Sequence, residues 1–119
     1  MRTVVNLDVA VREIERRAEG WRAGGFAVGP VTWRDQAGGW PPSLKTERDA
    51  VADPDSIGVE VRLGVQEGSV VLFKGGWCDL AYWSGSPSDE PVVEAPGYPD
   101  DITIEGFGHL LDSFINLFH

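Results

Sequence analysis

The segment VEVRLGV, residues 59–65, decides the fold prediction for this chain. Apolar side chains at its odd positions alternate with glutamate, arginine and glycine at its even positions. Because a β-strand has a period of two, this alternation places all the apolar side chains on one face. We therefore predict a strand with a buried odd face and an even face in contact with water.

Further strands are predicted directly after this one, in an antiparallel meander. Residues 66–69 are expected to turn the chain into the apolar run VVLF, residues 70–73, which suits a central strand. A second tight turn at Gly75-Gly76 leads into a third strand over residues 77–83. Residues 91–95 are predicted to add a fourth strand.

Helices are predicted at both ends of the chain. In the N-terminal segment apolar residues recur every three or four positions, at Leu7, Val11, Ile14, Ala18 and Trp21. Asn6 is the expected N-cap of this helix, and Gly24-Gly25 is expected to end it. The same spacing recurs over residues 107–118, after an N-cap at Asp101 or Thr103.

The segments between the first helix and the meander give weaker patterns. Residues 26–28 and 31–33, on either side of Gly29-Pro30, predict a strand pair or one kinked edge strand. A loop over residues 35–43, an irregular segment over 45–53 and a turn over 53–56 are predicted next. The fold class is therefore α+β. One domain, residues 1–119, is predicted to pack a meander of about four strands against an N-terminal and a C-terminal helix.

The charge of the chain is divided very unevenly along its length. The net charge is −9, and residues 51–119 carry twelve acidic side chains against Arg62 and Lys74 alone. No lysine or arginine follows Lys74. Such a surface repels the phosphate backbone of nucleic acids and attracts a basic protein partner. A role in solubility alone is the other interpretation of the same charge.

Composition excludes several classes of protein. Cys78 is the only cysteine, so no internal disulfide can form, which favours a reducing cytoplasm. The longest uninterrupted apolar run, residues 70–73, is far shorter than the roughly 20 residues that a membrane-spanning helix needs. We therefore expect a cytoplasmic protein with no membrane segment.

No residue pattern indicates catalysis, a metal site or a cofactor. His109 and Asp112 lie three apart on the C-terminal helix and could touch, but a surface pair is the simpler interpretation. Cys78 beside Asp79 is expected to be a buried, unreactive thiol. The acidic residues at 100–101 suit the start of a helix better than a cation site. We accordingly expect no enzymatic activity and no cofactor.

The orientation of the third strand is left open by its sequence. Trp77, Asp79 and Trp83 share one face of it, and both faces carry apolar residues. If that face is the core, Asp79 needs a partner such as Arg62. If it is the outer face, these residues form an exposed patch of aromatic and acidic side chains, which is typical of interaction sites.

The order of elements resembles that of the small immunity proteins of bacterial polymorphic-toxin systems, and it is most similar to the TriTu family. The likeness lies in the stretch from PPSL (41–44) to SIGV (56–59), in GGWCD (75–79) and in the helix over residues 107–118. The resemblance implies a cytoplasmic inhibitor that binds a cognate toxin and blocks its active site. It assigns no role to any single residue.

Three functions are compatible with the sequence. The first is a protein-binding inhibitor of a basic partner, such as a nuclease-like toxin. It would use the aromatic and acidic residues Trp77, Asp79, Tyr82, Trp83, Asp89, Glu90 and Glu94. The second is a ligand-binding or enzymatic domain with a pocket between sheet and helices, lined by Trp33, Trp40, Tyr82 and His109. The third is a structural subunit whose exposed aromatic residues pair with a second copy in a homodimer.

Overall fold

The computed structural model describes every residue of the chain, 1–119. Its elements are α1 (Leu7–Ala23), β1 (Ala27–Val28), β2 (Thr32–Asp35), β3 (Ser43–Lys45), a 3-10 helix (Arg48–Ala50), β4 (Pro54–Leu63), β5 (Gln66–Phe73), β6 (Trp77–Trp83), β7 (Val92–Glu94) and α2 (Ile104–Ile115). One antiparallel sheet has the order β3-β2-β4-β5-β6-β7, and β1 also pairs with β4. The predicted α+β class is confirmed, but the sheet has seven strands instead of about four.

The segment before the meander forms one interrupted strand along β4. Val28 lies opposite Val61, and Thr32 lies opposite Gly58. Three residues (29–31) lie between the paired positions on the first strand, whereas two (59–60) lie between them on β4. One extra residue on one strand is the definition of a β-bulge. The bulge falls at Gly29-Pro30, where proline offers no N–H to the ladder. Of the two predicted arrangements, the single kinked strand forms, but its β2 half is not an edge strand because β3 pairs with it on the other side.

The predicted irregular region contains more strand than its sequence indicated. Residues 43–45 form β3, which pairs with β2 in a hairpin, so the predicted loop ends before Ser43. The predicted turn over residues 53–56 is wrong, because β4 already begins at Pro54. Residues 54–58 are held extended by the pairing of β2 with this part of β4.

The turn between β4 and β5 lies earlier than predicted. Leu63 pairs with Gln66, so the turn consists of Gly64 and Val65 and residues 66–69 belong to β5. Gly64 has a φ of +60°, and glycine at the first central position is typical of a tight hairpin turn. Val65 is consequently 76% exposed and does not join the core, although it continues the alternating pattern.

Both helices pack on the same face of the sheet and bury the core there. The buried cluster combines one face of α1 and of α2 with inward residues of β4, β5 and β6, among them Ile57, Val59, Val61, Val70, Leu72, Cys78 and Leu80. Asn6 caps α1 by accepting a hydrogen bond from the backbone N–H of Val9, and Thr103 caps α2 in the same way through Gly106. The caps satisfy N–H groups that a helix start leaves free. The opposite face of the sheet carries no helix.

Asp35, at the end of β2, holds the connection to β4 in place. Its Oδ1 accepts hydrogen bonds from the backbone N–H groups of Ala37 at 3.0 Å and Asp53 at 3.1 Å, and its Oδ2 accepts one from Ala52 at 3.1 Å. The hydrogen bonds from Ala37 and Ala52, followed by that from Asp53, hold the pKa of Asp35 below its ordinary value. The carboxylate form of Asp35 therefore stabilises the folded chain.

We expect Asp35→Asn to lower the melting temperature at neutral pH more than Asp49→Asn, which changes an exposed carboxylate of the same connection. Because the pKa of Asp35 is lower in the folded state, its stabilisation is present above the unfolded pKa of about 4 and is lost as the pH falls through the folded value. The difference between wild type and Asp35→Asn should therefore shrink below about pH 4. Thermal unfolding between neutral and acidic pH measures this, and a constant difference would contradict it.

Candidate interaction surface

The sheet face opposite the helices is formed by alternate residues of β2 to β7. The strand register places these side chains on it: Thr32, Arg34, Leu44, Gly58, Glu60, Arg62, Glu67, Ser69, Val71, Phe73, Trp77, Asp79, Ala81, Trp83 and Val93. We call this the open face. It is the only large sheet surface that no other element of the chain covers.

The strand register decides which face of β6 is buried, a question that the sequence leaves undecided. Trp77, Asp79 and Trp83 lie on the open face, not in the core. Trp77 is 37% exposed and Asp79 is exposed, so Asp79 needs no buried partner. Arg62, the partner proposed for a buried Asp79, instead lies 3.4 Å from the carboxylate of Glu67. The patch of aromatic and acidic residues therefore exists.

Tyr82 does not belong to this patch, so its predicted exposure was wrong. It alternates with Ala81 and Trp83 and therefore points toward the helices, where it is 7% exposed. Its ring contacts the ring of Phe118 edge to face, and its hydroxyl donates a hydrogen bond to Oε1 of Gln66 at 2.7 Å. Buried tyrosines usually find such a partner for the hydroxyl.

The three remaining predicted contact residues follow β6 in the chain. The indole N–H of Trp83 lies 3.2 Å from the backbone oxygen of Ser86 and 3.3 Å from that of Asp89, so the connecting loop folds against the indole. Glu90 is exposed in the same loop. Glu94 is exposed too, but it pairs with Leu80 and therefore lies at the edge of the sheet on the other face. Asp89 and Glu90 thus adjoin the open face, and Glu94 does not.

A stack of side chains forms a ridge at one end of the open face. The rings of Phe73 and Trp77 are 3.8 Å apart and within 10° of parallel. The guanidinium of Arg34 lies 5.2 Å from the centre of the Phe73 ring and forms hydrogen bonds of 2.7 and 2.6 Å to the carboxylate of Asp55. The hydrogen bonds to Asp55 raise the pKa of Arg34. Arg34 and Phe73 were not among the predicted contact residues, because their contact depends on the pairing of β2 with β4 and of β4 with β5.

A groove crosses the open face beside this ridge. It consists of two adjoining hollows of about 350 and 340 Å³, which share Glu60 and Ser69. The lining includes the small residues Gly58, Ser69 and Ala81 together with larger side chains such as Arg62 and Glu67. The groove reaches from Leu44 on β3 to Trp83 on β6. Its place in the middle of the face follows from the small side chains that the register brings together there.

The charge of the open face is negative after its ion pairs are taken into account. Arg34 is paired with Asp55, and Arg62 is paired with Glu67. Glu60 and Asp79 are exposed and form no ion pair. Glu60 was predicted to lie on the solvent-exposed face of its strand, but no role was predicted for it. Its neighbours on this face come from β5 and β6 and cannot be identified from the sequence of β4 alone.

The other candidate sites of the sequence do not assemble. His109 lies 3.7 Å from Glu105, whereas Asp112 binds Nε of Arg17 at 2.7 Å, so the histidine and Asp112 do not form a pair. Burial raises the pKa of the Cys78 thiol to about 12, as expected for an inert buried cysteine. No group of three or more histidine, cysteine or acidic side chains is arranged to hold a metal ion. Neither helix is both long and apolar enough to span a membrane.

The predicted aromatic pocket between sheet and helices is also not formed. Trp33 and Tyr82 are buried in the core, whereas Trp40 is 89% exposed in the loop after β2. His109 is on the outer side of α2, with an exposed side chain. The four residues therefore do not meet in one pocket, because two of them are buried and two are exposed. Two pockets lie on the open face instead.

Comparisons with protein-family models, with curated proteins and with solved structures each find no match to this chain. The chemistry of the open face therefore has to be judged from the residues that form it. Those residues form a stacked aromatic ridge and a groove, and they include two carboxylates, Glu60 and Asp79, that have no ion-pair partner.

Proposed function

We propose that this protein is a protein-binding inhibitor, an immunity-type protein that binds a basic toxin in the bacterial cytoplasm and blocks its active site. One observation carries the proposal. A complete face of the sheet is left uncovered, and it combines exposed tryptophan with unpaired carboxylates. Both features of this face favour contact with another protein.

Aromatic side chains at both ends of the open face supply apolar contact area. Trp77 and Trp83 belong to the residue types that dominate the binding energy of protein interfaces. Phe73 holds Trp77 in a fixed orientation by stacking on it at 3.8 Å, so little side-chain freedom is lost when a partner binds. Three further exposed apolar residues lie near Trp77: Met1 and Val4 approach Gly75 and Gly76, and Tyr98 follows Gly97, which approaches the backbone of Trp77. An apolar surface of this kind marks interaction sites on soluble proteins.

The charge of the face selects the class of partner. Glu60 and Asp79 present two unpaired carboxylates on the open face, and Asp89 and Glu90 are exposed in the loop that folds against Trp83. They attract a basic surface and raise the rate of association with it. A toxin that cuts nucleic acid needs a basic substrate site to bind phosphates, so an acidic, rigid face is suited to occupying that site.

The test is a charge reversal on the face and a matched reversal elsewhere. Asp79→Lys, Asp89→Lys and Glu90→Lys are combined in one variant, and Glu15→Lys, Glu19→Lys and Glu105→Lys, all exposed on the helices, are combined in the control. Both variants change the net charge equally. We expect a basic protein captured from the source cell lysate by the wild type to bind the first variant about tenfold or more weakly, because reversed charges repel it. The control should bind almost as tightly as the wild type.

Two further measurements complete the test. Binding of the captured protein should weaken as salt is raised, since exposed charges are screened over about 10 Å at 0.1 M salt. The captured protein should also lose its own activity, such as nuclease cleavage, when the wild-type chain is added. Equal loss of binding in both triple variants would indicate a dependence on total charge only, and the proposed role of the open face would then be wrong.

A further inference from the structure

We propose that the groove on the open face receives an α-helix of the partner protein, and that this helix presents lysine or arginine side chains to Glu60 and Asp79. The inference rests on the proposed function and names the element of the partner that enters the site. It follows from the width of the groove, from the hydrogen bonding of the strands beneath it, and from its charge.

Paired residues of neighbouring strands place their side chains next to one another in rows that run across the open face. The spacing of these rows leaves room for a helix. Bulky side chains occupy the row of Phe73 and Trp77 at one end and the row of Glu67 and Trp83 at the other. These rows are six residues apart along β5, which is about 20 Å at a rise of about 3.3 Å per residue. The two rows between them combine the small residues Gly58, Ser69 and Ala81 with the side chains of Val71, Glu60 and Asp79. A helix with its side chains is about 10 Å across and can lie in this space.

The backbone of the groove favours a helix over an extended segment. β4, β5 and β6 are paired with neighbours on both sides, so their backbone groups are already used in the sheet. An extended segment placed on this face would find no backbone partners, and its own N–H and C=O groups would be buried unsatisfied at a cost. A helix satisfies its backbone internally and buries only side chains. Extended segments would pair instead with the edge strands β3 or β7.

The charge of the groove favours a basic helix over a second copy of this chain. Glu60 lies in the groove and Asp79 beside it, and neither has an ion-pair partner. In a symmetric dimer through this face, the carboxylates of both copies would be brought together, and the whole chain carries a net charge of −9. α1 and α2 cover only the other face of the same sheet, so the open face is free to receive a helix of a partner.

The experiment uses three peptides of about 14 residues, roughly 21 Å long as a helix. The first places leucine, lysine and alanine in a heptad order and forms a basic amphipathic helix. The second has the same length, charge and leucine content but contains two prolines in place of two alanines, so that it cannot form a helix. The third replaces each lysine of the first with glutamate. Binding to the full chain is followed by NMR through backbone amide shifts.

We expect the basic helical peptide alone to bind saturably and to shift the amides of Gly58, Ser69 and Ala81. Glu60→Gln combined with Asp79→Asn should weaken it about tenfold, whereas Glu15→Gln combined with Glu105→Gln on the helices should leave it nearly unchanged. Ser69→Tyr, which fills the groove without changing the charge, should also weaken it, and Ser113→Tyr, at an exposed position of α2, is its control.

Several results would overturn the inference. Equal binding of the proline peptide, shifts confined to β3 or β7, or no saturable binding would each exclude a helix in the groove. Shifts of Ser69 and Ala81 on simple dilution, without peptide, would identify a second copy as the occupant. If the charge-reversal variant still loses its protein partner while the helical peptide fails, the proposed function stands and only this inference is wrong.

Discussion

Phe107→Ala is expected to lower the free energy of unfolding by about 3–5 kcal/mol, the range for removing a fully buried aromatic ring. Phe107 lies in the first turn of α2 and has no exposed surface. The substitution removes the apolar contacts of the ring and leaves a cavity between α2 and the sheet, which the surrounding side chains fill only partly. Because a small domain is stable by only about 5–15 kcal/mol, the variant should lose a large share of its stability.

Urea unfolding of wild type and variant measures this loss. The midpoint should fall while the slope with denaturant stays the same, which would assign the change to stability and not to the compactness of the unfolded chain. Glu105→Ala, at an exposed position two residues earlier in α2, is the control and should change stability by about 0.5 kcal/mol or less. A loss below about 1 kcal/mol for Phe107→Ala would mean that the ring is not packed as the structure shows.

The elements that the sequence predicts well are those that carry a local periodic pattern. α1 and α2 follow from apolar residues at intervals of three and four, and their caps at Asn6 and Thr103 form as expected. β6 has the predicted bounds of 77–83. The two helical patterns result from contacts that one segment makes with a single neighbouring layer, so the segment alone contains the information. The bounds of β6 follow from the glycine turn before it and the polar loop after it.

The position of the β4–β5 turn shows where a local pattern misleads. Val65 continues the alternation of Val61 and Leu63, yet it lies in the turn, because Gly64 permits a positive φ one residue earlier. A glycine within an alternating run is therefore as strong a signal for the turn as the polar residues that follow it.

The open face is the part of the site that the sequence leaves undecided. β6 presents apolar residues on both sides, with Cys78 and Leu80 on one and Trp77 and Ala81 on the other, so alternation alone cannot assign the inner face. The burial of Tyr82 follows only once that face is known. The groove at Ser69 is harder still to predict, since it requires the register of three strands at once.

The second large effect is expected at Gly68 in β5, where a side chain would collide with the core. A methyl group at this position would lie 2.7 Å from Cε1 of Phe114, 2.9 Å from Cζ of the same ring and 3.0 Å from the backbone oxygen of Ala81. Alanine normally stabilises a strand relative to glycine by roughly 0.5–1 kcal/mol. Here we expect Gly68→Ala to destabilise the chain by about 1–3 kcal/mol, because Phe114 is fully buried and has to move.

A double-mutant cycle identifies Phe114 as the cause. Phe114→Leu alone should be destabilising, but in this background Gly68→Ala should cost much less, since the smaller side chain leaves space for the methyl group. Additive effects in urea unfolding would instead place the strain at the backbone of Ala81. Ser69, the next residue, points into the groove on the other side of the same strand. Adjacent residues of β5 lie on opposite faces of the sheet. Substitutions at Gly68 should therefore alter the stability of the fold, whereas substitutions at Ser69 should alter the binding of a partner.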